Sequence, residues 1–173
     1  MRAIVSGMTS LVQYLDALKQ QMIHLDRCVH CGKADPWCHG KYPRKSDREQ
    51  DLNPIWILRF LCPGCRRTCS VLPECIPPRR WYLWAIQQIA LLACMTGASL
   101  RQVSHPLGMS RSTIRRWLAS LKSRHQEFSD ALKSIRSSLG YGVDLPSFWE
   151  KCFEQMPLSK AMYLLNELKV MIP

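Results

Sequence analysis

Two Cys-x-x-Cys pairs constrain this chain more than any other feature: Cys28-Val29-His30-Cys31 and, after a thirty-residue spacer, Cys62-Pro63-Gly64-Cys65. Each pair can turn as a knuckle that aims two sulfurs at one ion, and two knuckles complete a tetrahedron. The expected ion is zinc, held by Cys28, Cys31, Cys62 and Cys65. Four thiolates leave it no open position, so its role would be structural. Gly32, Pro63 and Gly64 suit the tight turns. The spacer has room for a β-hairpin: His39–Arg44 and Ile55–Leu61 read as strands, the polar run Lys45–Asn53 as the tip, and Arg67–Leu72 as a third strand. A thioredoxin-like redox pair would call for one such motif within alternating strands and helices, not two knuckles bracketing a hairpin. Cys38, His39, Cys69 and Cys75 lie nearby and could substitute or build a second site. None forms another short-spaced pair, so these cysteines are expected as small buried hydrophobes. A zinc deaminase is excluded: His125-Gln126-Glu127 supplies the first half of that signature, but both Cys-x-x-Cys pairs lie upstream of it.

The 173 residues carry a net charge of +11, concentrated in two stretches: ten basic against five acidic residues over 28–80, and eight against two over 99–136. Charge localised in this way points to an anionic partner. Nucleic acid fits better than a membrane, because no stretch has the length of a spanning segment. The second basic stretch, SLRQVSHPLGMSRSTIRRWLASL over 99–121, reads as two short helices joined by a tight turn. Ser99 and Gln102 form a capping-box pattern, and Leu100, Val103 and Leu107 fall on one face. Pro106 ends the first helix at or before His105. Gly108 frees the backbone to turn and Met109 can plug that turn. Ser110 caps a second helix whose buried stripe is Ile114, Trp117, Leu118 and Leu121. From Ser99 to His125 there are six basic residues (Arg101, Arg111, Arg115, Arg116, Lys122 and Arg124) and no acid. An apolar stripe under a purely basic face is the pattern of a helix-turn-helix seated in a DNA major groove. The alternative is a helical hairpin with solvated arginines. On the DNA reading, Arg111, Ser112 and Thr113 reach base edges with Arg115 or Arg116 on the next turn. Lys122, Arg124, Arg66, Arg67 and Arg79 touch phosphates, and Arg101 and Arg80 complete the set. Arg79 and Arg80 are equally open to simple solvation.

The run Gly108-Met109-Ser110-Arg111-Ser112-Thr113-Ile114-Arg115-Arg116-Trp117 resembles the helix-turn-helix of bacterial transposases and resolvase-like regulators. The run Arg59-Phe60-Leu61-Cys62-Pro63-Gly64-Cys65-Arg66-Arg67-Thr68-Cys69-Ser70 looks like the N-terminal zinc ribbon of insertion-sequence transposases and the small regulators related to them. The resemblance covers about residues 28–121 and rests on cysteine spacing and module order more than on identity. Cys69 stands where such ribbons often carry an aromatic residue. The resemblance implies a zinc ribbon placed directly before a DNA-binding helix-turn-helix.

The remaining segments read as helices. Residues 9–26 form an amphipathic one, capped by Thr9 or Ser10, with Leu11, Leu15, Leu18, Met22 and Leu25 as its stripe. Its partner is the neighbouring ribbon or another subunit. Pro73, Pro77 and Pro78 make a stiff connector. Trp81–Met95 is apolar nearly all round, which predicts a buried helix too short for a bilayer. Ile114, Leu118, Leu121, His125, Phe128, Leu132, Ile135 and Leu139 alternate spacings of four and three. That predicts one long helix of about 29 residues, ended by Gly140 and Gly142. Its seam is either a dimer contact, which would suit inverted-repeat DNA, or is covered by helices at 145–156 and 158–172 flanking Pro157.

The expected fold is α+β, mostly α, in four parts. These are an N-terminal helix (1–27), a small β zinc ribbon (28–78), a helix-turn-helix domain (79–139) and a C-terminal helical hairpin (140–173). Met1–Gly7 lacks the long apolar core of a secretory signal, and the metal-spaced cysteines fit a reducing cytoplasm. After residue 136 the only acids are Asp144, Glu150, Glu154 and Glu167, on segments too short for the sheet that two-metal nuclease chemistry requires. Neither a nucleophile elbow nor a phosphate-binding glycine loop is present. The expected function is therefore sequence-specific binding of double-stranded DNA without catalysis, in a cytoplasmic, nucleoid-associated protein. It would act in transposition or transcription regulation, as a mobile-element-related regulator or DNA-targeting subunit, alone, as a homodimer or with a protein partner in a larger DNA complex. The alternative is an assembly adaptor whose ribbon and C-terminal helices bind proteins, with only non-specific contact to DNA or RNA.

Overall fold

In a computed structural model, the described residues are 3–5, 8–45, 54–78, 82–140, 144–168 and 170. The chain is α+β and divides into two units, Met1–Leu83 and Trp84–Pro173. No helix among the described residues is long and apolar enough to cross a membrane.

In the first unit, strands β1 (Ala3–Val5), β2 (Trp37–Arg44), β3 (Ile55–Leu61) and β4 (Thr68–Pro73) lie in the order β1-β4-β3-β2. β2, β3 and β4 form an antiparallel meander, and β1 adds in parallel to β4. A bulge in β2 between Cys38 and Lys41 shifts the register by one residue. Helix α1 (Leu11–Lys19) starts at a capping box, Ser10 with Gln13, and packs on this sheet through Leu11 and the fully buried Tyr14. It ends seven residues before the expected Asp26. Gln21 adopts a left-handed φ of 56°, while the N–H groups of Gln21 and Met22 bond back to the carbonyls of Leu18 and Ala17. These two bonds are a Schellman closure that turns the chain so that Ile23 enters the core and Met22 stays exposed.

The second unit is helical: α2 (Trp84–Met95), α3 (Leu100–Ser104), α4 (Arg111–Ser123), α5 (His125–Ile135), a 3-10 turn (Ser137–Leu139), α6 (Leu145–Gln155) and α7 (Leu158–Glu167). Helix α2 touches α3, α4, α6 and α7. The side chain of Gln88 accepts the N–H of Leu158 at 2.7 Å, supplying the cap that Pro157 cannot give α7. Two expectations are corrected here. Helix α2 is not buried all round: Gln87 is covered while Ile89 is 56% exposed. The expected long helix is two helices broken at Arg124. The reason is that its apolar residues serve two surfaces. Ile114, Trp117 and Leu121 are buried on α4, which packs with α2 and α3, whereas Phe128 and Leu132 are buried on α5 beside α7 and Trp149 of α6. One straight stripe cannot face both. Arg124 holds the corner, donating to Glu127 at 2.6 and 2.8 Å with its guanidinium 4.6 Å above the Phe128 ring. Within the predicted seam Ile135 is exposed, while the seam's last residue, Leu139, is fully buried.

Candidate metal centre and basic helix face

The two cysteine turns are built alike. In the first, Cys28 N–H donates to the Lys33 carbonyl and Gly32 N–H to the Cys28 carbonyl, both at 2.8 Å. In the second, Cys62 N–H donates to the Arg67 carbonyl and Arg66 N–H to the Cys62 carbonyl, both at 3.0 Å. Each turn needs a left-handed residue at its fifth position. Gly32 supplies it at φ 74° and Arg66 at φ 53°. The result brings the sulfurs of Cys28, Cys31, Cys62 and Cys65 within 4.8 Å of one another. Cys28 Sγ lies 3.7 Å from Cys65 Sγ, and Cys31 Sγ lies 3.5 Å from Cys62 Sγ. These separations are far too long for a disulfide, and they match the ~3.8 Å edge of a tetrahedron with metal–sulfur bonds of ~2.3 Å. Four thiols so placed could hold one metal ion.

The same turns prepare the ligands electrostatically. The Cys62 thiol is pulled down to about 6, first by the backbone N–H of Cys65 and then, against its burial, by that of Gly64 and the thiols of Cys31 and Cys28. Cys31 is pushed up to about 11. The Lys33 N–H lowers it, but hydrogen bonds with Cys62, Cys65 and Cys28, together with burial, outweigh that pull. Metal binding at such a cluster would release the protons that its thiols still carry. Cys38, His39, Cys69 and Cys75 stand outside the cluster. Cys69 is buried and Cys75 half-buried, with burial pushing both thiols up, whereas Cys38 is exposed on β2.

Between α3 and α4 the chain makes a six-residue turn. Gly108 takes φ 56°, Met109 is buried, and its N–H bonds the Ser104 carbonyl. Ser110 caps α4 through Thr113 N–H, and its hydroxyl also meets those of Ser112 (2.8 Å) and Thr113 (2.9 Å). Arg111, Ser112, Arg115, Arg116 and Lys122 are exposed, while Ile114, Trp117 and Leu121 on the opposite side are buried. Arg116 leans back to the Thr113 hydroxyl at 3.5 Å. A cleft of about 520 Å³ opens beside the turn, lined by Arg101, Ser104, His105, Gly108, Met109 and Arg111. Among the described residues, no carboxylate pairs with Arg101, Arg111, Arg115, Arg116 or Lys122. Arg124 differs: it is half-buried and tied to Glu127. Arg66 and Arg67 are exposed at the second knuckle, and Arg79 and Arg80 lie outside the described residues. The sequence reading missed two features of the first unit, the core position of Tyr14 and the exposure of Trp37 (63%). Trp37 falls two residues before the expected strand His39–Arg44, so no alternation in the sequence placed it on a face.

An α+β chain with a four-thiol cluster and a basic helix face is the class these observations define. By comparison of sequences the chain belongs to the family described as a domain of unknown function (DUF6431), which it matches over residues 27–117. That span begins one residue before Cys28 and ends at Trp117 of α4, so it holds all four cysteines, α2, α3 and half of α4. No curated protein and no solved structure matches the chain.

Proposed function

We propose that this protein binds double-stranded DNA in a sequence-specific way, without catalysis, as a regulator or DNA-targeting subunit related to mobile elements. The observation that carries the reading is α4. Its buried stripe and caps fix its orientation on the unit, and its outer face presents Arg111, Arg115, Arg116 and Lys122 with no carboxylate partner among the described residues. The α3–turn–α4 segment acts as a helix-turn-helix in which the first turn of α4 enters the major groove. Arg111 and Arg115 reach base edges there, since an arginine can pair with both acceptors of a guanine. Arg101 and Lys122 hold phosphates. Arg124, tied to Glu127, contributes less than the sequence reading gave it.

The metal at Cys28, Cys31, Cys62 and Cys65 is zinc on this reading, because an all-thiolate tetrahedron is its usual structural site. Its chemistry there is to lock the two knuckles and so set the ends of β2, β3 and β4. The test is selection of bound fragments from random duplex DNA, followed by competition with single-stranded DNA and structured RNA. A shared motif that resists competition is the expected result. Enrichment of no sequence, with equal competition by all three acids, would leave the adaptor reading in its place.

A further inference from the structure

Trp37 presents a large indole to solvent, 63% exposed, at the start of the edge strand β2, whose first five residues are all exposed. In the register it stands opposite Leu61, which pairs in turn with Thr68. Cross-strand partners share a face, so the three form one row across β2, β3 and β4. Arg59 lies two positions along β3 on the same face, exposed, with its guanidinium 5.1 Å above the Tyr42 ring. The row ends beside the second knuckle and its exposed Arg66 and Arg67. Over the described residues 28–45 and 54–73, seven Lys or Arg stand against a single acid, Asp35. Arg66 also keeps a left-handed backbone at the position where the other knuckle has Gly32, a strain that glycine would avoid.

We propose that this row is a second nucleic-acid site, which takes an unpaired base of a single strand. The base stacks on Trp37, while Arg59, Arg66 and Arg67 hold the flanking phosphates. Arg59 on the same face and Arg66 and Arg67 at the end of the row supply positive charge that complements a phosphate backbone and not an apolar protein surface. Trp56, also exposed, alternates to the opposite face beneath Lys41 and serves as an internal control.

The test uses the full-length protein and a fluorescein-labelled oligothymidylate, read by anisotropy, beside a labelled duplex. Trp37→Ala is expected to weaken oligothymidylate binding roughly ten- to a hundredfold. Duplex binding should be unchanged, and Trp37→Phe should restore most of the single-strand affinity. Arg59→Ala should weaken it in the same direction, and Trp56→Ala should leave it alone. Trp37 is exposed, so its loss opens no cavity, and an unchanged melting curve checks the fold. Oligothymidylate binding that is absent from the wild type, or untouched by Trp37→Ala, overturns the proposal. So does equal loss on both probes, or a dimer that Trp37→Ala dissociates. Trp37-dependent oligothymidylate binding by a protein that ignores duplex would support this site and overturn the α4 reading.

Discussion

Tyr14 carries a contact that no neighbouring residue can replace. β3 and β4 pair only from Arg59 to Leu61 against Thr68 to Ser70, and beyond that the strands part. The Tyr14 hydroxyl fills the gap, 3.1 Å from the Trp56 carbonyl and 3.4 Å from that of Val71, and it accepts the N–H of Leu58. Tyr14→Phe should cost about 1–3 kcal/mol, the range for orphaning buried polar groups, as read by denaturant unfolding. Burial, chiefly, pushes the Tyr14 hydroxyl up to about 12. An unfolded tyrosine ionises near ~10, so this stabilisation is complete below that pH and is lost as the pH climbs towards the folded value. The wild type should therefore lose stability on that alkaline limb more steeply than Tyr14→Phe. A second expectation follows from the paired knuckles: Arg66→Gly should raise stability by up to about 1 kcal/mol while weakening nucleic-acid binding. A drop in melting temperature would mean that Arg66 holds a structural contact. Third, on the proposed zinc site Cys62→Ser should abolish metal uptake by elemental analysis and unfold the knuckle region, because a structural ion supplies much of the folding energy of so small a unit. Full retention of metal would remove Cys62 from the site. The four cysteines were legible because their spacing is local and chemical. Tyr14 was not, since a hydroxyl-tipped ring reads as an interruption until the place where two distant strands diverge is known.

Among the elements, the three strands of the meander and helix α6 follow directly from turn residues and periodicity, while α7 starts after Pro157 as expected but ends at Glu167, short of the expected 172. The failures share one cause. A heptad spacing specifies that a face is buried, but not that the same neighbour buries all of it. Ile114 to Leu121 and Phe128 to Leu132 answer to different helices, and the chain breaks at Arg124 to satisfy both. α1 stopped early for a related reason, its last turn closing through Gln21 so that Ile23 could be buried. Helix α5 is a core element covered by its own unit, with Phe128 edge-on to Trp149 at 6.3 Å. Leu132, 1% exposed, should not tolerate a carboxylate. Leu132→Asp is expected to cost at least about 3 kcal/mol, from lost packing and an unpaired buried charge. Thermal unfolding reads the loss, and sedimentation should show the same mass for folded wild type and variant. An unchanged melting temperature, or a wild-type dimer that the variant splits, would contradict the intrachain cover.

At the scale of the whole molecule, the proposed DNA reading rests on the basic face of α4 and the buried stripe opposite it. The basic excess over 99–136 was visible in the sequence. Among the described residues, Arg124 is the one of these basic residues tied to a carboxylate, and its spacing of three from Glu127 is one that an unbroken helix would also allow. The most direct measurement compares Arg111→Ala with Lys122→Ala, each titrated on a selected duplex and a scrambled one at two salt concentrations. Arg111→Ala should lose about 1–3 kcal/mol on the selected site and far less on the scrambled one, relaxing preference at one base pair. Lys122→Ala should weaken both duplexes alike and reduce the salt slope by about 1. Equal losses on both duplexes for both variants would mean that α4 does not read bases, and no loss for either would end the DNA reading.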